Sequence, residues 1–507
     1  MATSKPLQVQ ILSPIETLIT RMTANVIGRS FDARLQLLEA TAAKLGKYPV
    51  KTYFNHFEID PIFDYPSLDE SANQLSRAIS TLSIHPALVL SALASEPISV
   101  TEKRKNGVYY TDFRLAQYLA NLARSSLSSD SKVLDPASGA GILLTAIAVA
   151  ACEATGKNKY AEWLAQNTFA SDMSVTALRG ARLALASLTN DLDAVKEMWG
   201  HWKVQDSLLA GSKVWNDLLP GGFDLIVGNP PWEKLKLTRH EFLQSIGEER
   251  HYGDDYSYFP LDGLHQERKA LSNYAQLLLS QYNFIGSNEL DLYMAFIELF
   301  VQLLQPGGMA AVLVPAGLIR AQGTEKLRRF LFEQSDDLTI TIMHNHSKFF
   351  AIDSRFKFVA LSFKKLSKPL PSAVDIKIHH ATGNSDGVEI TSSLSLSRRD
   401  LENIRPDLTI PEVRENREWD LFVSMYQNGV RWDNTLTSWN CEIVREVDMS
   451  KERRNFLHER TNTSLPVIEG RMIQMHRFGA KAYISGSGRR SRWTPLKLGY
   501  SGIKPQY

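Results

Sequence analysis

The sequence predicts an α/β protein built on a doubly wound, Rossmann-like sheet, with a helical region before it and a small α+β region after it. Three observations predict this. Short β-rich runs alternate with helical spacing from about 107 to 365. One strand runs into a glycine turn, Val133-Leu134-Asp135-Pro136-Ala137-Ser138-Gly139-Ala140-Gly141. Another, Phe223-Asp224-Leu225-Ile226-Val227-Gly228, stops at Asn229-Pro230-Pro231-Trp232.

Residues 1 to about 100 show helical apolar spacing, as in Ala33 to Ala40 and Ala87 to Leu93, and no chemistry-bearing pattern. The clearest strands are Lys132 to Leu134, Thr168 to Ser171, Asp224 to Val227, Ala310 to Val314, Thr339 to Met343 and Phe356 to Phe363. A third strand of the sheet ends near Asp206. Helices are expected over Phe113 to Leu127, Gly141 to Ala154, Val175 to Ser187 and Leu290 to Leu304, the first capped by Thr111 or Asp112. Glu233 to Glu289, rich in Tyr, His and mixed charge, is longer than an ordinary connection and is expected to be an insertion that orders on binding. After about 370 the patterning weakens into short β-like pieces. The chain therefore divides into three regions: 1–100, helical; 101–370, the α/β domain with its insertion at about 233–289; and 371–507, a basic C-terminal region.

Of the 507 residues, 44% are hydrophobic and 22% charged, which is ordinary for a globular chain. No apolar run reaches the roughly 18 residues of a membrane span, and the N-terminus lacks an apolar signal core. Cys152 and Cys441 show neither metal spacing nor a disulfide framework, so a reducing cytoplasm and no metal are expected. The net charge of +2 hides an asymmetry. Lys451 to Tyr507 holds 12 Lys/Arg against 3 Asp/Glu, whereas the first 450 residues hold 45 against 52. A cationic end on a slightly acidic body suits a phosphate-facing surface.

The chemistry concentrates at strand ends. Gly139 and Gly141 permit close backbone approach and a tight turn, and Asp135, at the strand's end near Ala137, can bind an ammonium or an ordered water. The turn lacks dinucleotide spacing and the Gly-Lys-Ser/Thr of a phosphate loop. Asp172 ends the second strand, where an acid can take ribose hydroxyls; Asp206, with Ser207 after it, can accept from an adenine amine. Either acid alone also suits a helix N-cap. Met173 and Leu208 can sandwich a ring, and Tyr110 with Thr111, after Gly107-Val108-Tyr109, can cover the far end of the ligand. At the lip, the Asn229 oxygen accepts from an amino group, the prolines hold the Pro230 carbonyl in one direction, and Trp232 offers a stacking face. Two acceptors on one NH2 draw its lone pair out of conjugation.

Taken in order, Gly107-Val108-Tyr109-Tyr110-Thr111, Asp135 to Gly141, Asp172, Asp206 and Asn229 to Trp232 resemble an adenine-N6 DNA methyltransferase of gamma motif order. Downstream, Asp291 to Phe296, Leu304 to Met309, Val314-Pro315-Ala316, Phe349-Phe350 with Asp353 to Phe358, and Pro466 to Ile473 are similar to segments of type IIG restriction–modification enzymes. The resemblance implies an S-adenosylmethionine-dependent methyltransferase core, that cofactor, and a flipped adenine in double-stranded DNA as substrate, within a restriction–modification or phage-defence system. It implies that Asn229, Pro230, Pro231 and Trp232 carry catalysis. Tyr110, Thr111, Asp135, Ala137, Gly139, Gly141, Asp172, Met173, Asp206 and Ser207 would bind the cofactor, and Trp232 and Phe350 (or Phe349) would stack on the base. Extrusion is required in any case, because the amine is buried in the duplex.

Two departures qualify the resemblance. No Pro-Asp…Glu-x-Lys nuclease pattern occurs in residues 1–100. The stretch after the recognition-like segment is about 30 residues, short of the roughly 100 of a domain, so a separate specificity subunit is expected to assist. Two alternatives stay open: a methyltransferase of RNA adenine or protein glutamine, and a non-catalytic DNA-binding or assembly subunit that keeps the fold.

Overall fold

The structure, a computed structural model, describes residues 6–26, 28–95, 110–153, 160–235, 242, 263–286, 290–367, 375–429 and short stretches between 444 and 496. Gly107-Val108-Tyr109 and much of the expected insertion and basic end lie outside the described residues. The chain forms two compact units, residues 1–238 with 263–428, and residues 239–262 with 429–507. No helix among the described residues is long and apolar enough to cross a membrane.

The first unit begins with helices α1 (Leu7–Thr23), α2 (Ser30–Gly46), α3 (Val50–His56), α4 (Tyr65–Ser80) and α5 (Pro86–Ala94). α2 is buried along most of its length, including the acid Glu39. That charge is matched by the neighbouring helix Val175–Ala186. Arg179 meets both oxygens of Glu39 at 2.6 and 2.8 Å, and Arg182 meets one at 3.1 Å. The Arg182 guanidinium lies 4.1 Å from the Phe57 ring centre and 4.8 Å from that of Trp199. Paired charge on a buried seam fixes the approach of the helical region to the α/β core, since removing one partner would strand the other.

Nine strands form one sheet: β1 (Val133–Asp135), β2 (Thr168–Asp172), β3 (Lys203–Val204), β4 (Phe223–Gly228), β5 (Leu304–Pro315), β6 (Ser335–His344), β7 (Lys357–Lys365), β8 (Ile376–Gly383) and β9 (Val388–Leu396). Their order is 3-2-1-4-5-7-6-8-9. β3, β2, β1, β4 and β5 run parallel, while β7 runs antiparallel between β5 and β6. This is the Rossmann-like α/β core expected from the sequence. The sheet also continues past position 370, where the sequence places a boundary. β8 pairs with β6 in parallel and β9 with β8 in antiparallel, so these short-patterned residues are a partly exposed sheet edge.

Alternation along the central strands divides the core in two. Leu225 and Val227 of β4, with Met309, Ala311 and Leu313 of β5, pack on the face that carries the N-terminal helices. Ile226, Ala310, Val312 and Val314 pack on the opposite face, against helices Leu292–Leu303 and Glu325–Gln334. Runs of Val, Ile, Leu and Ala without polar alternation are what a sheet covered on both faces requires.

The second unit contains a short turn, Gly470–Met472, and two small antiparallel pairs, Ile473–Gln474 with Arg477–Phe478 and Lys481–Ser485 with Arg492–Pro495. The recognition-like segment Pro466 to Ile473 runs through that turn into the first pair.

Candidate active site

The parallel strands deliver the polar residues to one edge. Asp135 ends β1, Asp172 ends β2, and Asn229 comes directly after the last residue of β4. The strand order reverses direction between β1 and β4, the crevice where open α/β sheets bind ligands. The two ends are in close register. A Cβ placed on Gly228 would sit 3.8 Å from Asp135 Oδ1 and 3.9 Å from Pro230 Cδ. The glycine turn and the Asn229 lip are therefore neighbours.

The turn is lashed to the strands beside it. Ser138 N donates to Ser171 O at 3.0 Å and Gly139 N to Asp172 Oδ2 at 2.9 Å. The Ser207 hydroxyl donates to Pro136 O at 2.6 Å, so this residue shapes the turn from beneath. The two glycines serve different needs. Both have positive φ, but a Cβ on Gly139 would meet nothing within 4 Å, whereas one on Gly141 would lie 2.5 Å from Ala181 Cβ. Gly139 opens the floor, and Gly141 lets the next helix press against Val175–Ala186.

A cavity of about 610 Å³ lies over this edge. Tyr110, Thr111, Asp135, Ala137, Gly139, Asp172, Met173, Asp206, Ser207, Asn229 and Pro231 all line it, as does Leu208. Gly141, Pro230, Trp232 and Phe350 are not among its walls. The cavity also has walls that the sequence did not announce. Phe31, Ser91, Ala94 and Ser95 come from the helical region read as free of chemistry, and Glu233, Tyr274, Leu292 and Phe296 close the other side. The signal for Ser91 was weak, a small polar residue on an apolar helix; its hydroxyl donates to Ala140 O at 2.6 Å and ties α5 to the glycine turn.

Electrostatics mark the cavity. Asp135 is 1% exposed, and burial, reinforced by the Asp172 charge, pushes its carboxyl up to about 8. The Ala137 amide, donating at 3.1 Å, offsets only part of this. Asp172 is also raised by burial, against the amides of Ser174 and Gly139. Burial lifts Glu233 to about 7. Asp206 caps the helix Ser207–Ala210 and also accepts from the Tyr274 hydroxyl at 2.8 Å. That tyrosine belongs to Leu264–Gln281, the second half of the expected insertion. The helix packs beside the Asp206 corner, with Tyr282 donating to Leu208 O at 2.8 Å.

At the lip, Asn229 Nδ2 donates to Thr111 Oγ1 at 3.1 Å, which leaves the amide oxygen on the other end of the group. Thr111 is held because its neighbour Asp112, rather than Thr111 itself, caps the helix Phe113–Ala123. Trp232 is half-buried and lies on an aromatic shelf, stacked on Phe356 at 5.6 Å and edge-on to Phe350 at 4.9 Å. Phe350 is 2% exposed, and Asn345 clamps its main chain through two hydrogen bonds, to the carbonyl at 2.9 Å and from the amide at 3.0 Å. Phe349 is equally buried. Both rings pack edge-on against Phe358, and Phe350 also against Trp232.

Comparison with known proteins finds a family model that matches part of this site. Residues 159–350 match the Eco57I restriction-modification methylase family. The methylase match covers β2 through β6, including Asp172, Asp206 and the Asn229 lip, and bears out the resemblance read from the motifs. No curated protein matches the chain. Among solved structures, a putative class I S-adenosylmethionine-dependent methyltransferase from Listeria monocytogenes aligns at 13% identity and TM-score 0.42, covering 73% of this chain and 93% of that one. The type IIG restriction endonuclease BpuSI aligns at 14% identity and TM-score 0.46, covering 80% and 47%. The type IIL restriction-modification enzyme MmeI, in complex with DNA, aligns at 13% identity and TM-score 0.44, covering 81% and 63%. The chain thus spans about half of BpuSI and under two thirds of MmeI.

Proposed function

We propose that this protein transfers a methyl group from S-adenosylmethionine to the exocyclic amine of an adenine swung out of duplex DNA, within a restriction–modification or phage-defence system. The observation that carries the reading is a continuous cavity that reaches from the buried Asp135 and the glycine turn to the Asn229 amide. The methylase match over residues 159–350 supports it.

The residues fit the cofactor. Asp135 is a buried carboxyl with no cation beside it among the described residues, which is what an ammonium would neutralise. Asp172 would take the ribose hydroxyls, and Met173 and Leu208, which line the same cavity, would be apolar walls for a ring. When bound, S-adenosylmethionine supplies a methyl group on a sulfonium. The chain's own part is orientation. Asn229 and the Pro230 carbonyl accept from the amine and hold its lone pair toward the cavity, and the Thr111 hydroxyl fixes which end of the amide faces the base. Trp232, backed by Phe356, offers the stacking surface. No side-chain nucleophile is required: the amine would take the methyl directly as its carbon–sulfur bond breaks, the neutral thioether would leave, and the proton shed by the nitrogen would pass to solvent.

Tritiated S-adenosylmethionine with duplex DNA, RNA or a glutamine-bearing protein tests the substrate class, with Asn229→Ala as control. Label in adenine of DNA is expected, and label confined to RNA or protein would overturn the reading. The same assay with and without co-expressed specificity proteins tests the proposed partner. Robust site-specific labelling by this chain alone would remove the need for one.

A further inference from the structure

The adenine of the cofactor needs an acceptor for its amino group, and the residue expected there is already heavily engaged. Asp206 accepts from Leu208 N at 2.9 Å, Leu209 N at 3.2 Å and the Tyr274 hydroxyl at 2.8 Å. A carboxylate offers about four lone-pair directions in all. Another acid lines the same cavity, one residue beyond the lip: Glu233. It lies near enough to Tyr274 for its charge to raise that hydroxyl's pKa, which puts it in the corner where Asp206 stands. Its Oε1 is shut off from solvent and has no hydrogen-bond partner among the described residues. The main chain around it is pinned, since Leu292 N donates to Glu233 O at 2.9 Å and Lys234 bridges Asp291. Buried polar groups are completed by a partner in nearly all folded proteins, and a ligand is the partner this cavity can bring.

We propose that Glu233 hydrogen-bonds the amino edge of the cofactor's adenine ring beside Asp206. The assignment rests on the S-adenosylmethionine reading above. Its chemistry suits the edge. Burial lifts the Glu233 carboxyl to about 7, so near neutral pH much of it is the uncharged acid. An uncharged carboxyl carries a donor and an acceptor on adjacent atoms, the pattern with which Asn and Gln pair to adenine's amine and ring nitrogen. Glutamine therefore mimics the state that binds, while alanine and methionine remove it.

Calorimetric titration with S-adenosylhomocysteine and with its 6-desamino analogue tests the assignment. Glu233→Gln is expected to bind S-adenosylhomocysteine within about threefold of wild type. Glu233→Ala is expected to bind it about tenfold more weakly while losing only about threefold toward the desamino analogue, which keeps the ring nitrogen but not the amine. Glu233→Met keeps the chain length and carries the same expectation should alanine loosen the fold. Equal weakening toward both ligands, or none toward either, would overturn the assignment. Unchanged ligand binding with lost turnover on DNA would also overturn it, moving Glu233 to the target base. Wild-type protein that binds neither ligand would instead overturn the cofactor reading beneath it.

Discussion

Asp135→Asn removes a carboxyl's titration while keeping its shape, and the structure allows the consequence to be worked out. Burial holds the folded carboxyl at about 8, with a smaller push from Asp172. A ligand that brings an ammonium to this site needs the carboxylate. One unit below its pKa a group is about one-tenth ionised, so at pH 7 the ligand forgoes about 1.4 kcal/mol, and at pH 6 about 2.7 kcal/mol. Affinity for S-adenosylmethionine should rise about tenfold per unit from about pH 6 to 8 and level off above, with about one proton released per ligand at pH 7. Stability moves the other way. The folded pKa lies above the unfolded value of about 3.9, so the contribution of the neutral form is complete below about pH 4 and is lost as pH rises through about 8. On that span wild type loses on the order of 5 kcal/mol at most relative to the Asn variant. Calorimetry across pH, in two buffers of different ionisation enthalpy, measures both affinity and proton release; melting temperatures track stability. A flat wild-type affinity profile, or the same slope in Asp135→Asn, would show that this carboxyl does not hold the cation.

Three further outcomes rest on particular contacts. Gly141→Ala would press a methyl to within 2.5 Å of Ala181 Cβ at a φ of 76°, and should cost about 2–4 kcal/mol from strain and overpacking. Gly139→Ala, at a φ of 53° with nothing within 4 Å, should cost only about 1–2 kcal/mol; the reverse ranking of denaturant midpoints would reject the packing account of this turn. Asn229→Ala should lower methyl-transfer turnover about a hundredfold or more and leave cofactor affinity within about threefold, as read by single-turnover labelling and calorimetry; a loss confined to binding would remove Asn229 from the chemistry. Phe350→Ala empties a ring that is 2% exposed and should cost about 3–5 kcal/mol of stability, whereas Trp232→Ala, at a half-buried position, should cost less stability and more turnover. Equal effects of the two on activity at matched stability would mean that both rings touch the base.

Local grammar in the chain was enough for the catalytic edge of the sheet. A strand that ends in Asp135 and runs through Gly139 to Gly141 must turn tightly, whatever surrounds it. A strand that meets two prolines after Asn229 must stop there and present the Trp232 indole beyond them. The alternation of β runs and helices between them implies parallel strands, and parallel strands deliver their ends to one side. These features depend on neighbours within a few residues, so one chain read alone contains them. The methylase match over residues 159–350 covers much of the same stretch.

What the sequence left undecided depends on distances across the fold. Phe349, Phe350, Phe356 and Phe358 are near-equivalent as letters, and only packing around Trp232 decides that Phe356 stacks while Phe350 is clamped inward by Asn345. β8 and β9 carry weak patterns because an exposed edge needs little apolar alternation, and the pairing of β8 to β6 that joins them to the sheet is non-local. Phe31, Ser91 and Tyr274 enter the cavity from segments far along the chain, brought there by Glu39 with Arg179 and by the docking of Leu264–Gln281. Short-range backbone rules wrote the turn and the lip into the order of residues. Which side chains close the cavity over them is a matter of long-range burial, and that exists only once the chain has folded.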